Sequence, residues 1–325
     1  MPDELDLLRG ANPAPPDGPR FGDGPLDHDA ERRLNQLLHG SGPFGRRRTR
    51  WMWSLATVAV VAATALALLL AGPNTVPAVA APRPLLVQTG STPVPLTRMA
   101  ELAEAAAADG SPELRKGTHV QTWSMGMSED KPPITLPVER VVRWQADASH
   151  TELVVATDPR HPGRPVLSEG DDGTGLVEDG HVISEQTFGP SWSDAPPEST
   201  PPHDPRLLKA YLQEAQHRNT ALTTPELLDA VGVLLDHWTL GARENAAVAR
   251  LLADAGGLRP VGRVTDRLGR PGRAYVYDDG HGSRQMLIMD PAAGAVLGLE
   301  ETATTAEPEW GLKAGDVMDY SAWMR

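Results

Sequence analysis

The sequence predicts an α+β domain built on an antiparallel sheet and held outside a membrane by one transmembrane helix. Three observations carry this. The run from Trp51 to Ala71 is 21 residues long and has no charged side chain. Downstream, short runs rich in Val, Thr and aromatics are followed by three amphipathic helical patterns and then by strands again. That order is α+β rather than alternating α/β. The closing strands are separated by tight Asp/Gly/Pro turns, which join neighbours antiparallel.

The charge-free run is long enough to span. At ~1.5 Å per residue it rises about 31 Å, against ~30 Å of bilayer hydrocarbon. A core helix of a soluble domain shows one polar face, and this run shows none. Thr57 and Thr64 can bond to their own helix backbone. Trp51 and Trp53 stand where indoles favour the membrane interface, and Arg46, Arg47, Arg48 and Arg50 precede them. Such a cluster stays inside, so the expectation is a plasma-membrane protein with a cytoplasmic N-terminus and an extracytoplasmic C-terminal domain. Ala78-Val79-Ala80 has the small-residue pattern of a cleaved export signal. A signal core, however, runs only ~7–15 residues and does not normally follow a 50-residue lead. The chain divides into a tail (1–50), a span (51–71), a proline-rich stalk (72–97) and an outer domain (98–325).

Composition narrows the chemistry. The chain has 325 residues and a formal net charge of −13. Residues 1–50 hold eight Arg against eight Asp and Glu, leaving 22 basic and 35 acidic residues beyond the span. That acidic balance argues against nucleic acid or anionic lipid as a partner of the outer domain. There is no Cys, so disulfides, thiolate metal sites and zinc-binding anti-sigma modules are excluded.

In the tail, Leu26–Leu38 reads as a short helix with Leu34, Leu37 and Leu38 on one side, and Leu5–Leu8 as a turn or two. Asn12–Pro25 between them is too rich in Pro and Gly to fold. After the stalk, a helix is expected from about Arg98 to Ala108. Strands follow from Thr118, Leu136 and Thr151, and the run "LVEDGHVISEQTF" from Leu176 reads as one more. Leu136, Val138, Val142 and Trp144 share a face that Arg140 interrupts, so that strand is read as bulged or half exposed. Gly189–Pro205 is a loop.

Three helices come next: one from Asp204, one capped by Thr224 with Pro225 in its first turn, and "RENAAVARLLADAGG". In the second, Leu227, Leu228, Val231, Leu234, Leu235 and Trp238 form one stripe. The closing strands are "RPVGRVTD", "RAYVYDD", "RQMLIMD", "GAVLGLEETAT" and "DVMDYSAW", with turns at Arg267–Gly272, Asp278–Gly282 and Asp290–Gly294.

Several stretches together resemble a known family. They are "DELDLLR", the arginine-flanked span, "TPELLDAVGVLL", "AAVARLLADAGGLRPVGRVTDRLGRPGRAYV" and "LIMDPAAGAVLGLEE". The family is a set of actinobacterial single-pass membrane proteins of unassigned function, often encoded beside extracytoplasmic-function sigma factors. The resemblance covers the span and roughly Asp204 to Glu301. The Asp-Pro-x-x-Gly hairpin is also similar to the lipoprotein-carrier and sigma-regulator (LolA/RseB-like) fold. That implies a curved antiparallel half-barrel with helices on its concave face over an apolar cavity. The family has no established catalytic residues, so the resemblance implies none here.

The remaining polar clusters have plain explanations. Asp278, Asp279 and His281 suit a hairpin turn, with a metal or acid–base site as the alternative. Asp171, Asp172, Glu178 and Asp179 suit a solvated loop, with calcium as the alternative. His237 suits a helix C-terminus, where it meets the dipole. No P-loop, G-x-S-x-G, G-x-G-x-x-G or H-x-x-x-H occurs. The reading is therefore non-catalytic, without metal or cofactor. Three functions stay open: a ligand-sensing regulator, a carrier of an acyl chain or apolar peptide, and a structural envelope protein. A regulator would meet a sigma factor or its regulator through Leu5, Leu8, Leu34, Leu37 and Leu38, since helices of about a dozen residues need a partner to bury their leucines; the alternative is a helix lying on the inner membrane surface, or a disordered tail with no partner.

Topology is directly testable. Alkaline phosphatase is expected to be active when fused after Thr97 and inactive after Leu38. An active Leu38 fusion, or a released fragment beginning at Ala81, overturns the anchor.

Overall fold

The structure, a computed structural model, describes residues 82–109, 112–128, 131–170, 173–191 and 193–324. The predicted span and the tail, including Arg46, Arg47, Arg48, Arg50, Trp51, Trp53 and the five tail leucines, lie outside these residues. Among the described residues no helix is long and apolar enough to cross a membrane.

The described chain is α+β. Helix α1 (Leu96–Ala106) precedes six strands: β1 (Arg115–Ser128), β2 (Lys131–Trp144), β3 (His150–Ala156), β4 (Val166–Gly170), β5 (Gly173–Val177) and β6 (His181–Phe188). Helices α2 (Pro205–Ala215) and α3 (Thr224–Leu235) follow, then the two-residue β7 (Trp238–Thr239) and α4 (Ala242–Ala253). The chain closes with β8 (Arg259–Thr265), β9 (Pro271–Asp278), β10 (Ser283–Met289), β11 (Val296–Ala303) and β12 (Val317–Met324).

The main sheet runs β6-β3-β2-β1-β12-β11-β10-β9-β8, with β7 paired to the start of β1. It is antiparallel throughout and open, since its end strands β6 and β8 do not meet. Each half is largely a meander: β8 to β12 are neighbours in chain order, as are β1 to β3, while the β4–β5 hairpin intervenes between β3 and β6. One long-range pairing, β1 with β12, fuses them, from His119 opposite Met324 to Ser124 opposite Asp319. Strands β4 and β5 form a separate hairpin.

Alternation along the strands divides the apolar side chains into two cores. On one face α1, α2, α3 and α4 pack with Val120, Tyr275, Leu287, Met289, Val296 and Trp323. On the other, Trp123, Val276, Met286, Ile288, Leu297 and Tyr320 form a second cluster with no helix in it. The helices therefore cover one face, as their stripes imply. The other face is not open to solvent as a half-covered antiparallel sheet would be.

Helix α3 lies where its leucines predict. Leu228 and Leu234 are each 1% exposed. Its cap differs from the expectation by one residue: Thr223 occupies the N-cap, and the Glu226 carboxylate accepts from its N–H and hydroxyl. Thr224 lies inside the helix and donates to the Gly256 carbonyl. At the other end the sheet satisfies the helix. Thr118 Oγ1 donates to Leu235 O at 2.7 Å and Arg140 Nη1 to Asp236 O at 3.3 Å. Arg140 also pairs with Glu152 on β3. It interrupts an apolar face because the free carbonyls of a helix C-terminus need donors. The helix ends at Leu235, so Trp238 belongs to β7 rather than to the helical stripe.

The long run from Leu176 is two strands, broken by a turn at 178–180 in which His181 N donates to Glu178 O. The Asp290–Gly294 turn shows a close approach. Gly294 has φ +64°, and a Cβ there would lie 2.6 Å from the Met99 carbonyl and 2.7 Å from Ala103 Cβ. That glycine lets α1 rest on the β10–β11 turn.

Leu228→Asp and Leu235→Asp are each expected to cost at least about 3 kcal/mol, because each buries an unpaired carboxylate and removes core contacts. Leu207→Asp, at a position 62% exposed, should stay within ~0.5 kcal/mol. Urea and thermal melts of the three variants check the packing.

Candidate functional site

Residues 82–95 fall within the stretch read as a proline-rich stalk, yet they are fastened to the domain as a strap. Leu85 packs into the helix-free core and Val94 into the helical one. Between them the chain passes round the β8 edge. Gln88 N donates to Arg263 O at 2.8 Å, and Arg263 N donates to Ser91 Oγ at 3.0 Å. These bonds occupy backbone groups that an end strand would otherwise leave unpaired. Gly262 permits the contact. Its φ is +131°, and a Cβ there would sit 2.3 Å from Ser91 Oγ and 3.0 Å from Val87 Cγ1.

The strap begins on a buried ion pair. Leu85 N donates to Glu300 Oε1 at 3.0 Å, and Arg267 Nη2 donates to Arg83 O at 2.9 Å. Arg267 and Glu300 also bond each other, with side chains 6% and 0% exposed. Burial pushes the Glu300 carboxyl up from the usual carboxylate range and the Arg267 guanidinium down, and their mutual attraction opposes both. Such a pair contributes little net stability, but losing one partner strands the other. Arg267 lies 4.8 Å over the Tyr320 ring, and Tyr320 packs at 5.5 Å on Trp123. Trp123 Nε1 donates to Asp158, which Arg160 holds with a bidentate fork. On the other side Arg270 pairs with Asp266 and donates to Trp323 O and Leu297 O. The helix-free core is thus rimmed by arginine–carboxylate pairs.

Where the strap turns the edge it lines a depression of about 320 Å³. Its walls are the Gln88–Val94 segment, Arg263 of β8 and Arg273 of β9, with no carboxylate among them. Arg263 and Arg273 are directly opposite in the β8–β9 register. Like charges so placed repel by up to about 1 kcal/mol. Among the described residues neither forms an ion pair; Arg273 Nη1 donates to the Thr92 carbonyl at 3.2 Å. A second depression, about 190 Å³, lies at the start of α3 between Lys209, Leu227 and Asp254.

The clusters singled out in the sequence are placed as follows. Asp279 accepts from His281 N and Ser283 N, and Asp278 from Gly280 N, which closes the β9–β10 hairpin. Asp179 accepts from Thr157 Oγ1 and Gly163 N, and these bonds hold its carboxyl below the usual range. His237 Nδ1 donates to Val233 O in the last turn of α3. Asp171 and Asp172 lie outside the described residues. Among the described residues no three His, Cys, Asp or Glu converge as metal ligands.

Sequence reasoning missed Arg263, Arg267, Arg273 and Glu300. A signal for one pair existed. The turn centred on Leu268 makes Arg263 and Arg273 equidistant from it, and symmetric pairing puts them opposite.

No protein-family model matches the chain, and no curated protein matches it. Among solved structures it is similar to the dehydratase domain from the CurK module of curacin polyketide synthase. The identity is 12%, the match covers 72% of this chain and 82% of that one, and the TM-score is 0.13. At that score no shared fold or activity is implied.

Glu300→Gln should cost about 3–5 kcal/mol by leaving Arg267 buried and unpaired. Arg267→Met combined with Glu300→Leu should cost less than Glu300→Gln alone, because it strands no charge. Urea unfolding of the two variants measures this.

Proposed function

We propose that the chain is a non-catalytic, membrane-anchored regulator whose outer domain senses a ligand and passes the state of its strap through the span to the cytoplasmic tail. One observation carries this. The segment that would emerge from the span at 51–71 is bound round the β8 edge and forms a wall of the arginine depression. Occupancy of that depression therefore bears on the piece of chain leading to the membrane. A ligand biases such an element only through contacts that differ between its states. Residues 88–92 make such contacts possible.

On the cytoplasmic side the tail would meet a sigma factor or its regulator through Leu34, Leu37 and Leu38, with Leu5 and Leu8 as a second contact. The carrier alternative requires an apolar chamber; the first depression is lined largely by polar groups, and the second, which has Leu222, Leu227 and Leu251 in its walls, holds only about 190 Å³.

The test is a tail deletion. A gene deletion should be complemented by the full chain and not by one lacking residues 2–44, which keeps Arg46, Arg47, Arg48 and Arg50 to hold topology. Full complementation by the shortened chain overturns the regulatory reading and leaves the carrier and structural ones.

A further inference from the structure

We infer that the depression between Arg263, Arg273 and the Gln88–Ser91 turn is a binding site for a phosphate-type oxyanion. The inference deepens the sensing reading by naming the chemistry of its ligand. Two arginines opposite each other in the β8–β9 register and lining one depression, with no carboxylate among the described residues of its walls, are an unbalanced positive charge on a domain that is otherwise acidic. Planar guanidinium forks bind phosphate oxygens in pairs, and two forks suit a tetrahedral oxyanion with several oxygens better than one carboxylate.

The turn adds neutral donors. Gln88 O accepts from both Ser91 N and Ser91 Oγ, which closes the turn with Gly90 at φ +74°. Closed in this way, it leaves the backbone N–H groups of Thr89 and Gly90 without an acceptor among the described residues. Successive free N–H groups at a turn favour anions. The exposed Thr89 and Thr92 hydroxyls stand on the same rim.

The volume exceeds that of a bare phosphate and leaves room for an esterified group. Leu86, 83% exposed, follows Leu85 on the strap. An exposed leucine two residues before Gln88 in the chain suits a phospholipid headgroup at the bilayer surface, and inorganic phosphate offers the same oxygens without the lipid. The shared chemistry is the phosphate oxyanion, and the experiment separates the sources.

The full chain is placed in nanodiscs of phosphatidylcholine or of phosphatidylcholine with phosphatidylglycerol. Amide hydrogen exchange of residues 86–92 is followed while inorganic phosphate is added, with chloride at matched ionic strength as the control. Protection that grows with phosphate in neutral discs assigns a soluble oxyanion. Protection already present in anionic discs, and unchanged by phosphate, assigns a headgroup. In either case Arg263→Gln with Arg273→Gln should weaken binding by about tenfold or more, and Arg263→Lys with Arg273→Lys should fall between. Thermal melts establish that each variant is folded. No response in either disc, or an equal response in the folded Gln variant, overturns the site. An arginine-dependent response in a chain whose tail proves dispensable upholds the site and defeats the regulatory reading alone.

Discussion

The central strands β9 to β12, with β1 beside them, are buried on both faces, and the rest of the fold answers to this constraint. A strand alternates its side chains between faces, so double-sided burial needs two separate coverings. Four helices supply one of them. The other is assembled from pieces without regular structure: Leu85 from the strap, Leu268 from the β8–β9 turn, and arginine–carboxylate pairs along the rim. Glu300 is the sharpest consequence. It stands opposite Tyr320 on β12 and Met286 on β10, in a rung that is otherwise aromatic or apolar. A carboxylate there is tolerable only with Arg267 and the Leu85 amide as donors. Those two donors bring the strap onto the sheet.

The two ends of the sheet are managed differently. At β8 the strap occupies backbone groups at the edge, and Gly262 gives it room. At β6 the strand is exposed along most of its length, with Val182, Ile183 and Phe188 all accessible. Behind that edge a stack of Trp144, His150 and Phe188, with Lys116 lying 3.6 Å over the Trp144 ring, stiffens the strand from one side. Burial lowers the pKa of both Lys116 and His150. The arginine depression lies at the opposite end of the sheet, where the chain enters the domain.

Much of the fold was legible. The leucine stripe of α3, the Asp/Gly hairpins and the meander of the closing strands are local patterns, and local patterns survive folding when the core agrees with them. Three features were not. The cap of α3 shifted from Thr224 to Thr223 because Glu226 reaches back to it, a choice between adjacent threonines that composition leaves open. The run from Leu176 broke at 178–180 because Asp179 bonds to Thr157 and Gly163, which are distant in sequence. Residues 82–95 read as a stalk because proline content registers the absence of helix and strand, not the presence of a docking surface.

By itself, then, the sequence determined the α+β class, the helices and most of the strands but not Val166–Gly170 or β7, the absence of thiol chemistry and the expectation of a span at 51–71. These follow from composition, period and charge, which act within a few turns of chain. The tertiary structure decided which strands meet and what lies across them. The pairing of β1 with β12 joins segments about 200 residues apart, and no periodicity encodes it. It alone brings Trp123 against Tyr320. The β8–β9 register likewise turns two unremarkable arginines into one charged pair, because opposition across a sheet is a property of pairing rather than of either residue.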